Sequence, residues 1–401
     1  MANYSNRGSG SGGGLGGGSG GGSGGGSGGG SGGGSGGGSG GGSGGGSGGF
    51  LNNPFQISEA LGRSRESIIF PTDTNYYPHD QGFKEPDFPT GTDLNKRLMY
   101  WDDAVVHTLM VNELLQPLTY EVSTDEINSK NNEKIKNVEA TVLINGENSL
   151  TLARPTFERF ASELPSVISA AELRSDRQSE IIAQTTNVLY FMNAILPSAN
   201  RKPSTNFLMQ VAGSLAWSLQ MRFKHEFACA RPDEYSPQVQ PMIPTPRHSA
   251  YPMGHICEAA AAVQMLSHLS SVSLKNGRSW ESLNQQLWRL AWRVGDNRVI
   301  AGVHFPVDML GGLVLGVWVG DYIANACKTG KVAALTELRK FDPEGRSCSE
   351  IMSILSNNHK PNELLSKIIN MDVKPVVDKK NTESKSNSEI WKLALGEWKH
   401  N

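Results

Sequence analysis

The chain has 401 residues and a formal net charge of −2, with 37% hydrophobic and 19% charged residues. So even a balance gives no global basic field, which excludes a nucleic-acid binder held by bulk charge and requires any cationic site to be local. Cys229, Cys257, Cys327 and Cys348 contain no C-x-x-C pair and read as scattered reduced thiols of a reducing compartment.

The N-terminal stretch Met-Ala-Asn-Tyr-Ser-Asn-Arg leads into no apolar run, so no secretory signal is expected. Residues 1–49 are dominated by Gly and Ser, with Ser19 to Ser47 recurring every fourth residue. Such a segment has no apolar surface to offset its conformational entropy and is expected to be disordered. Residues 50–101, rich in Pro, Asn, Asp and Gly, are expected to form an irregular arm. Val105, Leu109, Val111 and Leu114 then give helical spacing over 102–116. The polar stretch 121–137 is expected to be a loop. Residues 140–152 are expected to form one small hairpin turned by Asn145-Gly146.

From Arg154 the pattern is helical. Helices are predicted over 155–164, 170–196, 204–228, 254–269, 279–299 and 306–328, with shorter pieces over 332–338, 348–355 and 363–371. A Pro-rich loop spans 231–251. After a charged linker, 389–398 is expected to be a terminal helix, the two making up a tail over 376–401. The expected fold is therefore all-α, with a catalytic domain over 102–375 and its core over 204–328. The longest apolar run, Met309 to Gly320, holds twelve residues. A bilayer span needs about 20, so a soluble, cytoplasmic protein with no integral membrane segment is expected.

Three segments place a cation or an imidazole beside a helix terminus. In the first, Lys224 lies in the last turn of a helix and Arg231 seven residues on, before Pro232. Alone, both could simply complement the helix dipole. In the second, Pro252-Met253-Gly254-His255 turns tightly into an alanine-rich helix whose free N–H groups suit an anion. His248 is read there as a loop residue. In the third, Asn297-Arg298 and Gly302 precede His304, with Pro306 opening the next helix. Asp308, four residues after His304, can fix the imidazole tautomer.

Together, Lys224…Arg231-Pro232, Pro252-Met253-Gly254-His255 and Arg298…His304…Asp308 resemble, in order and spacing, the vanadium-dependent haloperoxidase and type-2 phosphatidic acid phosphatase superfamily. The resemblance covers roughly 204–328, and the Pro-rich approach is similar to that of soluble bacterial haloperoxidase-like members. It implies helical bundles around a site where Lys224, Arg231, Arg298 and Gly254 bind vanadate or phosphate. His304 is implied as the vanadium ligand or the nucleophile, and His255 as the acid/base. Met253 stands where the family has a serine, and Asn297 where it has another; Met253 withholds a hydroxyl donor, whereas Asn297 can still hydrogen-bond.

The resemblance implies a haloperoxidase that oxidises halide with hydrogen peroxide and passes it to a small organic acceptor. Its alternative is a soluble acid phosphatase that cleaves phosphate esters through a phosphohistidine. A non-catalytic anion-binding homologue is the third reading. The exposed faces of a bundle leave room for a homo-oligomer.

Overall fold

The computed structural model describes residues 94–128, 134–273, 277–332, 337–357, 361–369, 374–375 and 382–398. The Gly/Ser segment and arm residues 50–93 lie outside them. Helices α1 (Leu94–Tyr100) and α2 (Asp103–Leu115) come first. A hairpin sheet follows, of β1 (Leu118–Asn128), β2 (Lys134–Ile144) and β3 (Glu147–Ala153). Next are α3 (Phe157–Ala170), α4 (Arg174–Ala183), α5 (Leu189–Ile195) and the long α6 (Pro203–Phe227). A four-residue turn of helix, α7 (Pro232–Tyr235), interrupts the Pro-rich loop. The central helices are α8 (Gly254–Ser273), α9 (Gly277–Ile300) and α10 (Pro306–Thr329). Beyond them lie β4 (Lys331–Val332), β5 (Glu337–Phe341), α11 (Cys348–Ser356), α12 (Pro361–Ile369), β6 (Lys374–Pro375), β7 (Thr382–Glu383) and α13 (Lys385–Glu397). The protein is mostly helical, as expected, with a few strands on one side.

Several details differ from expectation. Leu94–Tyr100 is helical within what reads as an irregular arm. In α2 the buried residues are Val106, Met110, Val111 and Leu114, while Val105 and Leu109 are 40% and 44% exposed. The helix carries two adjacent apolar stripes, and packing on α6 selects the one shifted by a residue. Stretch 121–137 is no loop where described: β1 pairs antiparallel with β2 from Leu118↔Ile144 to Asn128↔Lys134. Glu121, Ser123 and Asp125 on β1 are exposed, which is why the strand reads as polar. The expected hairpin is present between β2 and β3, and Asn145 (φ 53°) and Gly146 (φ 86°) make its turn left-handed at both positions.

The predicted helix 170–196 is broken after Ala183. The Thr185 hydroxyl donates to the Ile182 carbonyl at 2.6 Å, and Asn187 Oδ1 accepts from Tyr190 N at 3.0 Å, so side chains stop one helix and start the next. The described parts of 332–338 are strand rather than helix. Val332 pairs with Thr382, and β5 runs parallel to β3, so tertiary pairing overrides local propensity there.

Helix α10 is buried from Val307 to Ala324 and packs along α8. Three glycines make the approach close enough for backbone contact. A Cβ at Gly312 would overlap the Met253 carbonyl, one at Gly316 the Cys257 carbonyl, and one at Gly320 the Gln264 side chain. Alanines 259–262 on α8 are fully buried against this stripe. Among the described residues, α10 is the one helix long and apolar enough to cross a membrane, and its apolar window is 100% buried inside the bundle. All four cysteines are free, and three are buried.

Candidate functional site

The N-termini of α8 and α10 and the C-termini of α6 and α9 meet at one end of the bundle. Each terminus carries one part of the constellation, and the three segments come together there.

The turn from α9 into α10 sets His304. Gly302, at φ +83°, closes α9: its N–H donates to the Val299 carbonyl at 2.9 Å, and Val303 N–H to the Arg298 carbonyl at 3.2 Å. Pro306 opens α10, and the Asp308 carboxylate reaches back to accept the Phe305 N–H at 2.8 Å. The same oxygen, Oδ2, faces His304 Nδ1 at 3.0 Å. Asp308 therefore caps the helix and orients the imidazole at once. Glu163 adds a second cap by accepting the Val307 N–H at 2.8 Å.

Arg231 ties the segments together. Its Nη1 donates to the Val303 carbonyl at 2.6 Å and lies 2.9 Å from His304 Nε2. Its Nε donates to the His248 carbonyl at 3.0 Å, and its Nη2 lies 3.0 Å from His248 Nδ1. A guanidinium only donates, so both imidazoles accept from it. His304 then carries its proton on Nδ1, toward Asp308. His248 does lie in the loop, as expected, but it is also part of the cationic cluster.

Lys224 is fully enclosed at the end of α6 and donates to the Ser249 and Ala250 carbonyls at 2.8 and 2.9 Å. Arg298, near the end of α9, is 0% exposed. Its Nη2 donates to the Ile181 carbonyl at 2.8 Å and to Gln184 Oε1 at 3.0 Å, while Nε and Nη1 have no partner. His255 stands at the mouth of α8 with its Nε2 unpaired, and the other side of its ring bonds the Gln184 main-chain carbonyl. Gly254 beside it admits Gln220, which a Cβ would displace. Met253 is fully buried, and its N–H donates to the Asp308 carbonyl at 2.9 Å, a main-chain tie between the second and third segments. Asn297 binds Glu180 and Gln184 at 3.1 and 3.0 Å, so its amide is committed to the residues around α4.

Enclosure governs the charges. Burial lowers Arg231 and Arg298 to about 10, which leaves both protonated at neutral pH. Burial, and then the neighbouring Arg231, push Lys224 well below its usual range. Burial lowers both His255 and His304 far below the usual histidine range, and the next contribution is Arg298 for His255 and Arg231 for His304. His248 is lowered to about 4, by burial and then by Lys224 and Arg231. Burial raises the Asp308 carboxyl, against the Phe305 N–H and the two cations. The cluster is thus rich in buried N–H donors and poor in negative charge.

Sequence reasoning did not single out Gln184, Gln220 or Arg174. Arg174 binds the Ile300, Gln240 and Val239 carbonyls at 2.9, 2.8 and 3.0 Å and holds the Pro-rich loop against the end of α9. No motif flags these residues, because each acts across more than thirty positions of chain. Among the described residues, no group of three or more His, Cys, Asp or Glu is arranged to hold a bare cation.

The PAP2 superfamily model matches residues 205–327, the stretch from the first turn of α6 almost to the end of α10. No curated protein matches the chain.

Proposed function

We propose that this PAP2 superfamily domain holds a tetrahedral oxyanion on His304 and, with vanadate as that oxyanion, acts as a haloperoxidase. The superfamily comprises phosphatases and haloperoxidases. The observation that carries this reading is the pair of unpaired donors on Arg298. A fully buried guanidinium leaves Nε and Nη1 without acceptors, next to an equally unpaired His255 Nε2. Each unmet buried donor costs about 1–3 kcal/mol, and more when charged. Two such donors on one guanidinium, with Lys224 and Arg231 alongside, favour a resident anion over a passing one.

These residues fit vanadate by their chemistry. Arg298, Arg231 and Lys224 would neutralise its oxygens, the Gly254 N–H at the start of α8 would add a donor, and His304 Nε2 would be the one protein ligand. Bound there, vanadate supplies the activation of hydrogen peroxide toward halide. Asp308 keeps the His304 proton on Nδ1, so that Nε2 presents its lone pair. Arg231 must leave Nε2 for an anion oxygen. His255, neutral in this setting, is the group placed to accept and return a proton. Lys224, Arg231, Arg298 and His304 are all buried away from bulk water, which strengthens every charge–charge contact among them.

The same tautomer favours a second reading, phosphate monoester hydrolysis. His304 Nε2 would attack phosphorus, the ester P–O bond would break, and His255, having taken a proton on Nε2 from water, would pass it to the leaving oxygen. Water would then cleave the phosphohistidine. A paired assay separates the two readings. Protein incubated with orthovanadate, peroxide and bromide or iodide should halogenate a dye. The same protein without vanadate should leave a chromogenic phosphomonoester intact. The reverse pattern assigns the phosphatase, and silence in both with phosphate still bound leaves an anion-binding module.

A further inference from the structure

We propose that Gln184, which lies outside the matched PAP2 segment, is the positioning residue that aims Arg298 at the bound oxyanion. The proposal rests on the oxyanion reading of the site. Gln184 follows α4 and is fully buried. Two donors converge on its Oε1, Arg298 Nη2 and Asn297 Nδ2, both at 3.0 Å. Both are N–H groups, so the amide orientation is fixed by its partners. The Ile181 carbonyl takes the same Arg298 nitrogen at 2.8 Å, so one guanidinium corner is held from two directions. With Nη2 engaged by two acceptors, the guanidinium has its Nε and Nη1 hydrogens left to offer, and those are the unpaired ones.

The same residue reaches the second segment through its backbone, since the Gln184 carbonyl accepts from the His255 ring. Asn297 completes the arrangement. The residue at the family's serine position is engaged with Gln184 and Glu180, and Glu180 in turn pairs with Arg293. α4 is therefore latched to α9 by polar contacts centred on the arginine. Main-chain dihedrals at the break after α4 set where Oε1 stands, and Oε1 sets the guanidinium plane.

The test is inorganic phosphate binding to the full chain by calorimetry, in a double-mutant cycle of Gln184→Met with Arg298→Lys. Methionine keeps the length of the side chain and removes the acceptor. Losing the hold on a charge-assisted contact should weaken phosphate binding about tenfold in the wild-type background. In the Arg298→Lys background, where there is no fork to aim, Gln184→Met should change the affinity less than about twofold. A purely structural role would weaken both backgrounds by the same factor, and that result, or no change in either, overturns the proposal. If Gln184→Met does not fold, Gln184→Asn, which keeps an amide but falls short of Arg298, is run through the same cycle with the same criteria. Wild-type protein that binds neither phosphate nor orthovanadate would sink the oxyanion reading itself. Wild-type binding with an indifferent Gln184 sinks only the positioning role.

Discussion

Arg231 Nη1 stands 2.9 Å from His304 Nε2, on the ring nitrogen left over once Nδ1 faces Asp308. The contact defines the resting site: the arginine protects the lone pair on which either proposed chemistry depends. It also makes anion entry an exchange, in which the guanidinium gives up a neutral acceptor for a charged one. The anion adds a charge–charge attraction that a neutral imidazole nitrogen cannot offer, so the exchange runs downhill.

Removing the ring should abolish function. His304→Ala is expected to eliminate dye halogenation or phosphoester cleavage, whichever the paired assay detects. Asp308→Asn should lower turnover about 10–100-fold, the usual cost of losing an orienting partner behind a ligand. Steady-state kinetics on both variants, each checked for folding by circular dichroism, decide the matter. Unchanged turnover in His304→Ala would place the chemistry elsewhere.

Met253→Ser should restore a hydroxyl donor beside the anion. Phosphate affinity is expected to rise about tenfold, the worth of one hydrogen bond to a charged group. Shrinking a fully buried methionine should also cost about 2–5 kcal/mol of stability. Calorimetry and thermal melting on one preparation should therefore move in opposite directions.

Acidification should destabilise the fold. His248, His255 and His304 have pKa values below the ordinary 6.5 in the folded chain, His248 at about 4. Below pH 6.5 the unfolded chain takes up protons that the folded one refuses, so stability falls with pH. Each of His255 and His304 contributes up to about 1.4 kcal/mol per pH unit. Asp308 opposes this, because its raised pKa lets the folded state bind a proton first as pH falls. Burial raises Glu163 and Asp296 in the same sense, and two fully enclosed histidines, with His248 and His107, outweigh the three carboxyls. Urea midpoints at pH 7 and pH 5 should show the loss, and saturating phosphate should reduce it by supplying negative charge. A midpoint that rises toward pH 5 would contradict the assignment.

Gly316→Ala probes the contact between the central helices. Its Cβ would overlap the Cys257 carbonyl and come within 2.8 Å of Ala260 Cβ, so α8 and α10 must separate. Overpacking of this kind costs about 1–3 kcal/mol. Because the two helices carry His255 and His304 at their starts, phosphate affinity should fall together with the melting temperature. A melting change without an affinity change would show that the strain dissipates along the helices.

Much of the site was legible in the sequence because its parts are local. Pro306, midway between a histidine and an aspartate four residues apart, and a glycine-led alanine helix are readable in a window of ten. The long helices were legible for the same reason: Leu208, Val211, Leu215, Leu219 and Phe223 repeat at helical spacing and are all buried. What stayed hidden depends on distant chain. Gln184 meets Arg298 across 114 positions, and Arg231 meets His304 across 73. Asn297 was expected to be able to hydrogen-bond, and its amide does so with Glu180 and Gln184. The β1 strand was missed because residues on both sides of its alternation are exposed and, Val122 apart, polar from Glu121 to Asp125, so only the pairing with β2 reveals it. At α2 two apolar stripes of equal merit left the choice to the neighbouring helix.

The hydrogen bond from the Met253 amide to the Asp308 carbonyl joins main chain to main chain. Position 253 is anchored by its main chain, which every amino acid but proline supplies alike. A substitution of the side chain leaves that tie its donor, although it disturbs the packing around it. A side chain of another kind at 253 would change the lining of the pocket while the main-chain tie between the second and third segments stays in place.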